Sequence, residues 1–228
     1  MYFAKARFCL LLACVVLSIA EVCAQRPFRG RIVYNITYAG SMIDLAELQE
    51  LPNQAVISVN ENMVRTEMTG TNASLNQVQI ANAAIGEIST IVELLRGTYV
   101  ITRSATQIQT ALRNMPQPEL EFTSETKEIL GFTARRVIAR VVDDMGVEHV
   151  SNIFYTDQIS GAPFNFSGPY NQIPGLMLEY EMRVGPLNIR FEAQSVSRRW
   201  FVGRRNFRIP KDYERITFEE LRLRLQGS

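Results

Sequence analysis

Cysteine is almost absent from this chain of 228 residues: there are three, all within the first 24 positions. From Gln25 onward the chain therefore has no thiol, which excludes disulfides and cysteine-ligated metal sites. A domain of about 200 residues buries roughly 70% of the surface of its unfolded chain, so it needs no disulfide. Histidine is as scarce, because His149 is the only one. A zinc site built from two or three imidazoles is excluded as well.

The chain also lacks an apolar run long enough to span a bilayer, which takes roughly 20 residues. Its longest run, Phe8–Ala20, has 13 residues. Lys5 and Arg7 precede this run and the small residue Ala24 follows it, which is the order of a secretory signal. We therefore expect residues 1–24 to be a signal peptide cleaved after Ala24. The mature protein would be exported to the periplasm or cell surface, with no transmembrane segment.

Neither sign of charge is in excess. Lysine and arginine together number 24 and the acids 23, for a formal net charge of +1. This balance excludes a uniformly basic nucleic-acid binder. Hydrophobic residues make up 46% of the chain, which excludes a disordered polymer. The composition indicates a globular domain.

Catalytic motifs are missing too. The sequence contains no glycine-rich phosphate loop and no G-x-S-x-G nucleophile turn. His149 lies on an expected strand, where alternation places it on one face with Val147, Ser151 and Ile153. This pattern is more typical of a partly buried strand residue than of a catalytic base. We expect no enzymatic activity, no cofactor and no metal.

Two carboxylate pairs have a spacing that could suit glycoside hydrolysis. Glu119 with Glu121, and Glu179 with Glu181, are two residues apart on expected strands. Retaining glycosidases hold two carboxyl groups about 5 Å apart. Polar residues that alternate along the wet face of an antiparallel strand give the same pattern far more often. We interpret both pairs as surface residues.

The pattern that is present after residue 30 is mostly alternation of apolar and polar residues, which predicts β-strands joined by short turns. Asn60-Glu61-Asn62, Asp143–Gly146 and Val184-Gly185-Pro186 are expected turns. The stretch Thr71–Ile85 has no clear pattern. The predicted strands are Arg31–Tyr38, Ala55–Val59, Met63–Met68, Glu87–Leu94, Thr98–Arg103, Glu119–Thr123, Ala134–Val142, Val147–Tyr155, Leu176–Val184 and Leu187–Arg198.

Helical spacing is confined to three segments. Ser41–Leu51 and Ala105–Asn114 are two of them, and the third follows Ile216 at the end of the chain. There Thr217 and Glu220 form a T-x-x-E capping box, which predicts a helix start. In this helix Phe218, Leu221 and Leu225 share a face that we expect to dock on the sheet.

Consecutive hairpins with few helices predict an α+β fold, in which a single antiparallel sheet carries helices on one face. No segment rich in glycine, proline or serine divides the chain, and no internal repeat is evident. We therefore expect residues 25–228 to form one domain.

Arginine clusters late in the chain. Between Arg183 and Arg208 there are seven arginines and one acid, Glu192, with aromatic residues interleaved. Guanidinium groups grip phosphate and carboxylate through paired hydrogen bonds, so this segment could bind an anion or a partner. Alternatively, these arginines pair with the acidic segments Glu119–Glu128 and Asp143–Glu148. The candidate patch residues are Arg198, Arg199, Arg204 and Arg205.

Aromatic residues are densest in Ile153–Leu178, where prolines and glycines punctuate the chain. An aromatic loop held by prolines could line a ligand pocket, and it could equally close the core of the domain. The candidate ligand-lining residues are Phe154, Tyr155, Phe164, Phe166, Tyr170 and Leu176.

Four short motifs in the same region carry a family resemblance. Ile173-Pro174-Gly175-Leu176-Met177 resembles the motif that names the GLPGLI family of exported Bacteroidetes proteins. Glu128-Ile129-Leu130-Gly131-Phe132 resembles that family's I-L-G-aromatic turn, and Phe154–Ile159 its aromatic-Y-T-x-x-I strand. Phe207-Arg208-Ile209-Pro210 with Tyr213 is similar to the ending of a related exported family.

The resemblance implies a fold like that of the LolA/LolB lipoprotein carriers. That fold is a single strongly curved antiparallel sheet, an incomplete barrel, with a few helices on the concave face or at the end. It agrees with the α+β architecture expected from the residue patterns. The group has no agreed activity, so the resemblance names no reaction.

Two functions are compatible with these observations. The first is an exported, non-enzymatic binding protein of the bacterial cell envelope that holds a lipid or other apolar ligand in its curved sheet. The second is a structural or interaction protein of the envelope, with a fully packed core and no ligand, whose arginine-rich segment contacts a protein partner. We expect no binding to nucleic acid in either case.

Overall fold

A computed structural model describes residues 27–39, 44–70, 77–94, 97–143, 145–185, 187–198 and 202–226. The expected signal peptide lies outside the described residues. Within these ranges, twelve strands form one sheet: β1 (Arg29–Ala39), β2 (Gln54–Asn60), β3 (Met63–Thr69), β4 (Gln77–Asn82), β5 (Glu87–Leu94), β6 (Gly97–Arg103), β7 (Glu119–Ile129), β8 (Phe132–Val142), β9 (Glu148–Ser160), β10 (Gly175–Val184), β11 (Leu187–Ser197) and β12 (Glu214–Arg215). The helices are α1 (Leu45–Gln49), α2 (Ala105–Arg113), α3 (Ala162–Asn165), α4 (Phe218–Gln226) and a 3₁₀ turn at Arg204–Phe207.

The strand order across the sheet is β12-β6-β5-β4-β3-β2-β1-β11-β10-β9-β8-β7. Strands β1–β6 form one meander and β7–β11 a second, and the antiparallel pair β1–β11 joins them. Every pair is antiparallel except β12–β6. The two ends of this order are not paired with each other, so the sheet is open.

One face of the sheet carries the main core. Ile32 and Tyr34 on β1, Val64 on β3, Ile88 on β5 and Leu178 on β10 belong to a single cluster of buried side chains. The short helix α3 contacts both β10 and β3, which are four places apart in the strand order. A four-residue helix can touch both strands only because the sheet curves around it, so this is the concave face.

Helices cover that concave face, as expected. Ile108 and Leu112 of α2 are buried in the main core. The start of α2 is fixed by a capping box, in which the Ser104 hydroxyl accepts from the Gln107 N–H and the Gln107 side chain accepts from the Ser104 N–H. At α4, the Glu220 carboxylate accepts the Thr217 N–H at 2.6 Å, and the Glu220 N–H donates to the Thr217 hydroxyl at 3.2 Å. The predicted capping box of α4 is therefore confirmed.

The segment Val202–Tyr213, which we call the strap, crosses the opposite, convex face. Val202 and Phe207 are buried against side chains of β4, β5 and β6. The Asn60 side chain donates to the Val202 carbonyl at 3.0 Å, and Arg65 donates to the Asn206 carbonyl at 3.3 Å. Beyond the strap the chain rounds the edge of β6 as β12 and returns to the concave side as α4, whose Leu221 packs with Tyr99.

Most predicted elements are confirmed, and the fold class with them. Strand β4 was not predicted, because its six residues Gln77–Asn82 are half polar and follow a stretch without pattern. The first predicted helix is shorter, at Leu45–Gln49, and residues 41–43 lie outside the described part. Phe218 was expected to dock but is 68% exposed, since α4 meets the sheet only through its Leu221 side. The Leu225 side chain is not among those described. No described helix is long and apolar enough to cross a membrane.

Candidate functional site

The aromatic segment does not converge on one pocket, because two of its members lie on opposite faces of the sheet. Phe154 and Tyr155 are consecutive on β9, so their side chains alternate. Phe154 packs against the main core and lies under the Lys127 ammonium, which is 3.8 Å from its ring centre. Tyr155 is 6% exposed and belongs to a second cluster with Val137 and Ile153.

The other four candidates are divided between the same two clusters. Phe164 and Phe166 pack against the main core together with the buried Leu176, and the rings of Phe164 and Phe28 are 6.4 Å apart. Tyr170 joins the second cluster, where its hydroxyl donates to the Glu181 carbonyl at 2.8 Å. All six side chains therefore contact protein, and they fill the space between the loop and the sheet.

The motif of the family resemblance forms a close backbone junction at this place. A side chain on Gly175 would put its first carbon 2.1 Å from the Thr156 carbonyl oxygen, and one on Gly161 would lie 2.3 Å from the Gly175 carbonyl oxygen. The Asn165 amide donates to the carbonyls of Ile173 at 2.8 Å and Gly175 at 3.0 Å. Only glycine fits such an approach, so the motif fixes the loop to β9 and β10.

Three aromatic rings pack together on the concave face. Tyr180 and Phe191 are parallel at 4.7 Å, and Tyr34 meets both edge-on at 6.1 and 6.5 Å. The Tyr34 hydroxyl donates to the Met177 carbonyl at 2.6 Å. Burial raises the pKa of both Tyr34 and Tyr180, so the phenols stay neutral. These three rings therefore form an uncharged aromatic cluster on the concave face.

His149 is held between an acid and a base at the turn between β8 and β9. Its Nε2 lies 2.8 Å from the Asp143 carboxylate, and its Nδ1 lies 2.7 Å from the Arg183 guanidinium. The same Arg183 nitrogen also lies 2.8 Å from His149 Nε2, so the guanidinium contacts the ring beside both of its nitrogens. The hydrogen bond from His149, aided by the Val147 N–H, lowers the pKa of the Asp143 carboxyl. The His149 side chain is 30% exposed, as expected for a partly buried strand residue.

The four glutamates of the carboxylate pairs do not meet. Glu121 pairs with Arg140 at 2.8 Å, and Glu179 pairs with Lys127 at 2.6 Å. Of the remaining two, Glu119 is exposed at the start of β7. Glu181 is half-exposed on β10. Each pair lies on its own strand with its own counterions, which is the surface arrangement that alternation predicts. Among the described residues, no group of three or more acids, histidines or cysteines could hold a metal ion.

The arginine-rich segment is divided by the fold. Arg204 and Arg205 lie together on the 3₁₀ turn of the strap, and both are exposed. Arg198 lies elsewhere, with its guanidinium 5.0 Å from the centre of the Phe28 ring. Arg199 is outside the described residues. The strap also presents Arg208 and Lys211, so its described part offers four exposed cations.

The alternative, pairing with the acidic segments Glu119–Glu128 and Asp143–Glu148, is not made by the described arginines of the strap. In the described ranges, none of Arg204, Arg205 and Arg208 forms an ion pair. The acids of β7 are neutralised instead by bases of the neighbouring strand, as in Arg136–Glu125 and Arg140–Glu121. The physical reason is strand order, because the strap lies over β3–β6 while β7 is the strand farthest from them.

An exposed apolar group on the β8–β9 hairpin was not predicted. Met145 is 90% exposed at the turn, and Val142, Val147 and Val150 are each more than half exposed. The Asp143 carboxylate accepts the N–H groups of Met145 at 3.0 Å and Val147 at 2.9 Å, which ties these two residues to the end of β8. A signal was present in the sequence: valine occurs at both odd and even positions around this turn, so neither face of the hairpin end is polar.

A shallow cleft of about 240 Å³ lies where α4 meets the edge of the sheet. Its polar groups are already engaged: the Thr102 hydroxyl bonds to Ser89, and Glu220 caps its own helix with Thr217. Arg215 lies at its rim. The arrangement serves the helix junction, and it adds no group free for chemistry.

No protein-family model matches the chain, and no curated protein matches it. Among solved structures the chain is similar to PNGF-II in its P21 and C2 crystal forms, with TM-scores of 0.54 and 0.55 and sequence identities of 16% and 17%. The likeness covers 87% of this chain and 33% of PNGF-II, so the chain spans about a third of that protein's length. LprF from Mycobacterium bovis matches at a TM-score of 0.30 and 7% identity over 74% of this chain and 85% of LprF. The TM-scores of 0.54 and 0.55 show a fold shared with a part of PNGF-II, while membership of the GLPGLI family stays a prediction.

Proposed function

We propose that this protein is an exported, non-enzymatic interaction protein of the cell envelope that binds an anionic partner through the strap. One observation carries the proposal. Arg204 and Arg205 are exposed side by side on a backbone held at both ends by the buried residues Val202 and Phe207. Neither guanidinium forms an ion pair within the described part of the chain.

The rigidity of the strap is what makes these cations suited to binding. Cations on a flexible tail lose conformational entropy when a partner orders them, and this loss weakens binding. Here the Asn60 and Arg65 side chains already hydrogen-bond the strap backbone to β2 and β3. Arginine also gives paired hydrogen bonds to carboxylate or phosphate. An anion that meets the strap therefore encounters preorganised donors.

The packing of the concave face supports the absence of a bound ligand. The aromatic residues expected to line a pocket contact one another and the sheet, and Tyr34, Ile159 and Leu178 are almost fully buried there. A close-packed interior leaves no room for a further molecule unless side chains move. An apolar ligand in the curved sheet stays a second prediction, motivated by the family resemblance.

Salt elution from a sulfated polysaccharide resin tests the strap. We expect Arg204→Gln with Arg205→Gln to elute at clearly lower salt than the natural chain. Arg103→Gln with Arg113→Gln removes the same charge from β6 and α2, where both arginines are exposed, and should elute close to the natural chain. Equal shifts in the two double variants would mean that only total charge matters, and the proposal would be lost.

Thermal unfolding with and without long-chain fatty acids tests the concave face. A closed interior predicts no rise in Tm with added fatty acid, since only a ligand that binds the folded state stabilises it. A rise that saturates with concentration, together with lipid extracted from the purified protein, would favour the apolar-ligand function instead.

A further inference from the structure

The partner of the strap can be inferred from the distribution of charge over the molecule. From Glu119 to Asp157 the sequence has eight acids and four bases, and from Val202 to Tyr213 it has four bases and one acid. The first stretch forms β7–β9, which we call the acidic end of the sheet, and the second is the strap. A chain that is nearly neutral as a whole therefore has one stretch with a net excess of acids and one with a net excess of bases, and Glu121 and Glu125 of the first are paired with its own arginines.

These two surfaces cannot meet within one molecule. The strap covers β3–β6, and β3 is five places from β9 in the strand order. At about 4.8 Å per strand, that is roughly 24 Å along the sheet. Strand register places Glu119 opposite Arg140 and Glu148 opposite Val142, at the end of the sheet away from the strap. In the described ranges no ion pair joins the strap arginines to these acids, so the strap arginines are free to pair with acids of another molecule.

The acidic end also has the apolar surface that an interface needs. Met145 on the β8–β9 turn is 90% exposed, and Val142 and Val150 of the same hairpin are 55% and 56% exposed. Exposed apolar groups that lie together mark interaction sites. On the strap, Ile209 and Tyr213 are only partly buried, which gives the opposing surface apolar area among its cations.

We propose that the acidic end of one molecule binds the strap of a second copy, head to tail. The occupant follows from charge complementarity, because this chain itself offers a surface of each sign with apolar groups inside it. The two surfaces differ, so the contact is heterologous and each bound pair leaves one free surface of each kind. The inference rests on the proposed function, since it names the partner of the same strap.

Sedimentation velocity of the mature chain tests the proposal. We expect association at low salt that weakens as salt rises, because exposed charges are screened. Arg204→Glu with Arg205→Glu should weaken association at least about tenfold, and so should Glu119→Lys with Glu148→Lys. The two double variants mixed together should associate again, because each retains the surface that the other has lost.

Two further variants separate the contributions. Met145→Ser should weaken association about tenfold at any salt concentration, since it removes the apolar part of the contact. Arg103→Glu with Arg113→Glu changes total charge as much as the strap variant does and should leave association unchanged. A general effect of total charge cannot explain association that returns when the two charge-reversed variants are mixed.

Three outcomes overturn the inference. The natural chain stays monomeric at low salt, or it associates with no response to either reversal, or the mixture of variants fails to associate. If the natural chain is monomeric and the strap still retains it on the sulfated resin, the proposed function stands and its partner is another molecule. If resin binding is lost as well, both proposals fall.

Discussion

The two edges of the sheet differ, because further segments of the described chain cover the β6 edge and none covers the β7 edge. At β6, strand β12 pairs with Tyr99 and Val100, and the Ile216 N–H donates to the Val100 carbonyl at 3.0 Å. The strap covers the convex side of this edge, and α4 covers the concave side through Leu221. At β7 the described chain supplies no further strand, and most of its eleven residues are exposed.

The open edge is protected by other means. Between Phe122 and Thr126 the register with β8 shifts, which bends the strand. Charged side chains fill most of its exposed positions, and both devices discourage pairing with a further strand. The chain therefore covers the β6 edge with the strap, β12 and α4. It leaves the β7 edge accessible, at the acidic end of the sheet.

A pair of phenylalanine truncations gives the largest expected contrast between the edges. Phe207→Ala removes a ring that is 8% exposed and anchors the strap, so the free energy of unfolding should fall by about 3 kcal/mol. Phe122→Ala removes a ring that is 51% exposed and meets Tyr155 edge-on, so the fall should be about 1 kcal/mol. Urea unfolding measures both, and equal losses would contradict the comparison.

A second pair of variants, both on α4, tests which side chain docks this helix at the covered edge. Leu221→Ala should cost about 2 kcal/mol, because that side chain is 7% exposed against Tyr99 and Ile101. Phe218→Ala, three residues earlier on the same helix, should cost less than about 0.5 kcal/mol because its ring is 68% exposed. A larger loss from Phe218→Ala than from Leu221→Ala would mean that Phe218, and not Leu221, anchors α4 to the sheet.

The smallest effect concerns pH at the hairpin of the open side. The folded-state pKa of Asp143 is lowered by the hydrogen bond from His149, so its charged form contributes stability above the unfolded pKa of about 3.9. That contribution is lost as the pH falls through the lowered pKa. Asp143→Asn should therefore flatten the acid limb of a Tm-against-pH curve without changing the alkaline limb. An unchanged acid limb would show that the Asp143–His149 contact contributes nothing.

The strands could be predicted because alternation is a local property of the sequence. Regions such as Arg31–Tyr38, with apolar side chains at every second position, have only one way to bury them. Strand β4 escaped prediction because Gln77, Gln79 and Asn82 leave too few apolar positions to define a period. The capping box at Thr217 was equally local, and it was confirmed.

The candidate site was harder, since it depends on which distant segments meet. Density of aromatic residues in the sequence does not say whether Phe154 and Tyr155 face the same cluster, and the alternation of β9 separates them. Likewise, Arg198 and Arg204 are close in sequence, but the chain crosses from β11 to the strap between them. Charge pairing between segments requires the strand order, which residue patterns alone do not contain.

The pairing of β1 with β11 has a consequence for how the molecule is made. Its partners, such as Tyr34 with Ala193 and Ile36 with Phe191, come from opposite ends of the chain. As a chain grows from its N-terminus, β1–β6 are complete long before β11 exists, so β1 remains an unpaired edge throughout synthesis. Contacts of such long sequence separation form slowly and leave strand edges open to aggregation in the meantime. The β1–β11 pairing in the middle of the finished sheet is therefore the step for which the nascent chain most needs a chaperone, or needs to stay unfolded until β11 has been made.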